Sequence, residues 1–186
     1  MFIQTESTPN PATLKFLPGR EVMGEGRVAD FASREAAERS PLARALFETP
    51  EVSRVFFGAD FIAVTQTGGD WKTLKPAILG AIMEHFTRGL PLIGAEAEET
   101  DSQAADSGDS EIVAQIKDLI ETRVRPAVAQ DGGDIIFRGF DEASGIVFLH
   151  MRGACAGCPS STMTLKNGIE NMLRHYVPEV SAVEAV

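Results

Sequence analysis

Thiols are scarce in this chain. Two cysteines, Cys155 and Cys158, stand three positions apart among 186 residues, and there is no other. Cysteines this close cannot staple a fold from end to end, which excludes the disulfide frameworks of small secreted domains. Imidazole is nearly as rare: His85, His150 and His175 are the only three. No run approaches the roughly 18 apolar residues of a membrane span. An excess of positive charge is missing as well, and a net charge of −10 excludes a general binder of nucleic-acid backbone. The opening stretch "MFIQTESTPNP" has neither the basic-then-apolar pattern of a secretory signal nor the Arg/Ser richness of a transit peptide. The expectation is a cytosolic protein, or a mature organelle protein whose leader is absent.

What is present is the ordinary composition of a soluble globular protein, 44% hydrophobic and 24% charged. The charge is unevenly spread. Residues 1–93 are nearly balanced and residues 111–186 are mildly acidic. "GAEAEETDSQAADSGDS", residues 94–110, carries six acidic side chains with no basic or aromatic residue. Such a segment cannot bury enough apolar surface to offset its ordering entropy, so it reads as a flexible linker between two small domains.

In residues 1–93, "FIQTE" and "TLKFLPG" alternate around the turn residues of "STPNP" and predict a hairpin. Ser40 before Pro41 predicts a capped helix over "PLARALFET". "VSRVFFG" and "DFIAVTQT" predict a second hairpin, with Gly58 between them. "DWKTLKPAILGAIMEHFTRG" sets Leu74, Ile78, Ile82 and Phe86 at four-residue steps on one helical face and stops at Gly89. The expected order is ββαββα. His85 reads as packing or a solvated edge, without a role. Trp71 reads as core, with a partner anchor as its functional alternative.

In residues 111–186, "SEIVAQIKDLIETRV" predicts a helix with Ile112, Val113, Ile116, Leu119, Ile120 and Val124 on one face. Ser110 is its cap, and Pro126 kinks or ends it. "DGGD", residues 131–134, supplies glycines able to take positive φ. "DIIFRGF" and "GIVFLHM" predict strands joined through "DEAS". A helix follows over "PSSTMTLKNGIENMLRHY", and "VSAVEAV" supplies a last strand. The order αββαβ implies a three-stranded sheet covered by helices on one face. The fold class is therefore α+β, in two small domains.

"GACAGCP", residues 153–159, lies between a strand end and a helix start, where unpaired N–H groups and the helix dipole favour thiolate. Thiolate is the form that binds metal. The small residues Gly153, Ala154, Ala156 and Gly157 let backbone amides approach an anionic sulfur, which suits a bulky anionic group at an exposed edge. A thioredoxin-like dithiol also follows a strand and opens a helix, but this domain lacks the preceding β-α-β pattern. A closed zinc site needs four ligands. His175, at roughly 1.5 Å per residue, lies more than about 20 Å along the helix from Cys158, so one chain cannot build a Cys2His2 site. An iron–sulfur cluster needs four thiolates, which two copies of the loop would supply across a two-fold axis. Two incidental buried cysteines is the weakest alternative, since glycine-rich loops seldom bury thiols. Composition and spacing lead as far as a labile metal site shared between chains.

"DGGD", the "RP" before it and "GACAGCPSSTMTLKNGIE" closely resemble the NifU-like C-terminal domain of Nfu-type iron–sulfur carriers. "MFIQTESTPNP", "LKF", "DFIAVT" and "WKTLKP" resemble the domain upstream of it in the mitochondrial and alphaproteobacterial form. The resemblance implies a homodimer bridged by a [4Fe–4S] cluster, with a [2Fe–2S] form also open, bound at Cys155 and Cys158. It implies a non-enzymatic carrier that takes the cluster from upstream assembly proteins and passes it to client apoproteins, without nucleic-acid or membrane partners. The compartment would be the bacterial cytoplasm, or the mitochondrial matrix for a mature eukaryotic form. The domains are then 1–93 for partner docking, 94–110 as acidic linker and 111–186 for the cluster. The alternative from another class is a small dithiol–disulfide oxidoreductase using the same two cysteines.

Overall fold

A computed structural model describes residues 1–25, 27–94, 110–156 and 159–186, with backbone alone at 159–161. The chain divides into two compact units, Met1–Asp101 and Ser102–Val186. Most of the acidic stretch expected as a linker, residues 95–109, lies outside the described residues, as do Gly26, Gly157 and Cys158.

The first unit opens with β1 (Gln4–Ser7) and β2 (Thr13–Leu17), paired antiparallel as the alternation predicts. Asn10 makes the turn, its Oδ1 accepting from the Ala12 N–H at 3.0 Å and its carbonyl from the Thr13 N–H. The expected order ββαββα gains one strand. β3 (Ala29–Phe31) pairs with β4 (Val52–Phe57), and β4 pairs with β5 (Ile62–Gln66). Three residues are too short for alternation to show. β3 is held instead by burial of Phe31 and by the Asp30–Arg54 ion pair, in which Arg54 Nε donates to Asp30 Oδ1 at 2.8 Å. The sheet runs β1-β2-β5-β4-β3.

Helix α1 (Pro41–Phe47) starts where Ser40 accepts from the Ala43 N–H at 3.1 Å. Helix α2 (Trp71–Arg88) is capped by Asp70 and stopped by Gly89 at φ 63°, a left-handed geometry suited to glycine. Its Leu74, Ile78 and Ile82 join Phe16, Phe31, Leu42, Leu46 and Phe57 in one core. Trp71 sits half-buried at the core margin, and its indole N–H donates to the Pro11 carbonyl at 3.2 Å. Gly80, on the exposed side of α2, has open space where a side chain would project.

His85 takes the packing role, only 4% exposed, and its Nε2 finds no hydrogen-bond partner among the described residues. Burial pushes its pKa below the ordinary value, although the end of a helix would favour the cation. The unfolded chain therefore takes up the proton first as pH falls. The stability that neutral His85 contributes is complete above about pH 6.5 and is lost as pH drops toward the folded-state pKa. Unfolding midpoints of the first unit should fall from pH 7 to pH 5, and His85→Leu should flatten that slope. An unchanged slope in the variant would remove His85 as its source.

The second unit starts with α3 (Glu111–Leu119), whose first turn Ser110 caps by accepting from the Val113 N–H. Pro126 does not end the helical run. A π-helical turn over Ile120–Val124 intervenes, with the Arg125 N–H reaching back to the Ile120 carbonyl, and α4 (Arg125–Gln130) continues through the proline. The wider turn accommodates a residue that lacks an N–H and crowds the preceding turn. Ile116, Ile120, Val124 and Val128 form one buried stripe across the junction. β6 (Gly133–Asp141) and β7 (Ile146–Gly153) are antiparallel, with a bulge between Phe137 and Gly139. α5 (Pro159–Tyr176) then crosses over, so that β8 (Ala182–Ala185) pairs parallel to β7. Val147, Leu149 and Met151 alternate onto the face that packs with Ile135, Val183, Ile169, Leu173 and the α3/α4 stripe. The architecture is α+β with two sheets, and the second unit is αββαβ.

Candidate metal centre

β7 ends at Gly153, whose φ of 62° turns the chain out of the sheet. Gly133, the first residue of β6, lies directly opposite it in the antiparallel register. The Ala154 N–H donates to the Gly132 carbonyl at 3.1 Å, and the Ala156 N–H closes a turn on the Gly153 carbonyl. Cys155 sits in this turn. From α5, Thr162 Oγ1 donates to the Cys155 carbonyl at 3.0 Å.

The thiol is withdrawn. Cys155 is 5% exposed and belongs to the second unit's core. Gly133 makes its seat: a Cβ there would lie 2.3 Å from Sγ, 2.9 Å from the Arg152 carbonyl oxygen and 3.0 Å from the Cys155 nitrogen. The absence of a side chain at 133 is thus a packing requirement. Burial pushes the Cys155 thiol up to about 12, and the charges of Asp131 and Asp134 add to the rise. With no metal bound, burial works against the thiolate expected for this cysteine. The helix terminus is outweighed by desolvation and by two carboxylates that flank the glycines of "DGGD". The expectation that glycine-rich loops seldom bury thiols fails for Cys155, because Gly133 leaves room for the sulfur to seat against it. Cys158, the other expected ligand, lies outside the described residues.

Neither nearby imidazole joins Cys155. His150 Nδ1 hydrogen-bonds the Val186 carbonyl at 2.7 Å, and His175 packs edge-on against Tyr176. Among the described residues no group of three or more potential ligands converges.

Sequence reasoning gave Arg125 and Asp134 no role. The Arg125 Nε donates to Asp134 Oδ1 at 2.8 Å, Nη2 donates to Asp134 Oδ2 at 3.2 Å, and Nη1 donates to both Glu121 oxygens at 2.9 Å. Burial works against this cation, and its carboxylate partners more than offset it, so its pKa ends above the usual value. The signal was the "RP" and "DGGD" pair of motifs, which the turn after α4 brings together.

Two families match the chain. "Scaffold protein Nfu/NifU N terminal" covers residues 3–89, and "NifU-like domain" covers residues 116–184. The "NFU1 iron-sulfur cluster scaffold homolog, mitochondrial" of Homo sapiens is 54% identical over 100% of this chain and 72% of that relative. "NifU-like protein 4, mitochondrial" of Arabidopsis thaliana is 54% identical over 99% of this chain and 65% of that relative. The Drosophila ananassae protein bearing the same name as the human one is 50% identical over 100% of this chain and 64% of its own length. The chain thus spans about two-thirds of the length of these curated relatives. No helix among the described residues is long and apolar enough to cross a membrane.

Proposed function

Because the chain belongs to the Nfu/NifU scaffold family, we propose that it is an iron–sulfur cluster carrier. In this reading it holds a [4Fe–4S] cluster between two copies through Cys155 and Cys158 and hands it to client apoproteins. A single observation carries the reading: a strand-to-helix loop holding the chain's only two thiols, in a domain matched by the NifU-like family and without further ligands among the described residues. Four thiolates are then reached by pairing two loops. The cluster is cargo, and the chain performs no turnover chemistry. Release proceeds by ligand exchange: a client thiolate takes an iron coordination position, and the displaced carrier thiolate regains its proton.

Residues 1–93 serve as the partner-docking domain, 94–110 as the tether and 111–186 as the cluster domain. The mitochondrial names of the relatives support the mitochondrion as compartment. The partners are a second copy of the chain when loaded, upstream assembly proteins and clients.

The test is anaerobic reconstitution with ferrous iron and sulfide, followed by Mössbauer spectra and light scattering of matched apo and loaded samples. The expected result is an apo monomer and a loaded dimer with one cluster per two chains, reversed by iron chelation through mass action. A colourless chain that reduces insulin disulfides would replace the carrier with the oxidoreductase. A loaded monomer with a full [4Fe–4S] cluster would overturn the shared site.

A further inference from the structure

Arg125 is tied on every side, yet cluster carriage as described gives it no task. Its pair with Glu121, one turn back on the same helical run, is an i,i+4 contact with a 42% exposed carboxylate, a type that contributes little. The pair with Asp134 is of another kind. The side chains are 19% and 4% exposed, two bonds run in parallel, and the contact crosses from α4 to the start of β6. Removing one partner of such a pair strands a buried charge.

What the pair clamps is the floor of the cysteine turn. Asp134 follows Gly133, the residue against Cys155 Sγ. In the sheet Asp134 lies opposite Arg152 and Gly133 opposite Gly153, while the Gly132 carbonyl accepts from the Ala154 N–H. Thr162 fixes the Cys155 carbonyl from the other side. Gly132, Gly133 and the Ala154 N–H, which help to locate Cys155, are therefore within two residues of Asp134 or bonded across from it.

We propose that Arg125 is a positioning residue for Cys155: by clamping Asp134 it holds the glycine seat against the thiol and keeps this ligand withdrawn until the loop opens to receive a cluster. The proposal rests on the reading of Cys155 as a ligand. Loading then has two parts, a local opening that frees Cys155 and the coordination that follows, and Arg125 sets the frequency of the first.

Iodoacetamide labelling of the apo full-length chain, with each cysteine followed by mass spectrometry at one fixed pH, tests this. Cys155 should react at least about 100-fold more slowly in the native chain than in urea-unfolded chain, with a rate insensitive to low urea, the mark of local rather than global opening. Arg125→Gln should accelerate Cys155 about tenfold or more. Arg125→Lys should fall between, since it keeps the charge and loses the fork. The sign is diagnostic. Losing a cation near the thiol would by charge alone slow its reaction, so acceleration reports a loosened seat. Unchanged Cys155 rates in both variants, or rates that follow global unfolding in urea, would overturn the proposal. Iron and sulfide uptake by the same samples separates the two readings. A wild-type chain that loads nothing removes the carrier function, whereas a chain that loads normally with Cys155 labelling unmoved removes only the role of Arg125.

Discussion

Cys155→Ser and Cys158→Ser chains should each fail to hold a cluster after reconstitution, with iron and sulfide near background. One substitution removes two of four ligands, because the symmetry of the pair repeats it. A serine hydroxyl is a poor replacement for thiolate toward iron. The first unit should keep its wild-type unfolding transition in both variants, since its core is separate. The second unit should remain folded but lose about 1–3 kcal/mol in Cys155→Ser, because that side chain enters a buried site among apolar side chains. Metal analysis per chain, paired with urea unfolding, reads both effects. Wild-type iron content in either variant would remove that residue from the ligand set.

Gly133→Ala should destabilise the second unit by about 2–3 kcal/mol. The added methyl meets Cys155 Sγ at 2.3 Å, and that sulfur could swing aside. It also meets the Arg152 carbonyl oxygen at 2.9 Å and the Cys155 nitrogen at 3.0 Å, which are backbone and cannot. The β6–β7 pairing at Gly133 and Gly153 must therefore part, and Cys155 leaves its seat. Gly80→Ala is the control. That glycine has nothing within 4 Å of the new methyl, so the change should be neutral or stabilising by up to about 1 kcal/mol. Equal urea midpoints for Gly133→Ala and wild type would mean that the seat is not a packing constraint.

Local signals carried most of the fold. Ser40 and Ser110 cap the helices they were expected to cap, and the alternating segments pair as hairpins. β3 was illegible because its strand character comes from neighbours distant in sequence: Phe31 from the core and Asp30 from Arg54. The thiol state of Cys155 was illegible for a related reason. A helix terminus is visible in a motif, whereas burial under a sheet and the approach of Asp131 and Asp134 are not. The Arg125–Asp134 clamp joins residues nine apart across a proline and a glycine turn, outside any helical or strand period. His85 could be read as packing, but not as a side chain whose Nε2 lacks a hydrogen-bond partner among the described residues.

The π turn also governs how this domain can change in length. Four-residue steps from Ile116 to Val128 overshoot an α-helical turn by about 40° each, so a regular helix would wind this stripe roughly a third of the way around its axis. The residue accommodated within Ile120–Val124 takes up part of that drift and leaves all four side chains on the core. A deletion there could restore regular α-helix with the phase kept, because the π turn already absorbs one residue's rotation, but a deletion in the regular turns of α3 would rotate everything beyond by about 100°. Val128 would leave the core and Arg125 would turn away from Asp134 together. The regular turns of α3 have a fixed count, because a single phase angle serves both the packing of the domain and the clamp beneath its cysteine.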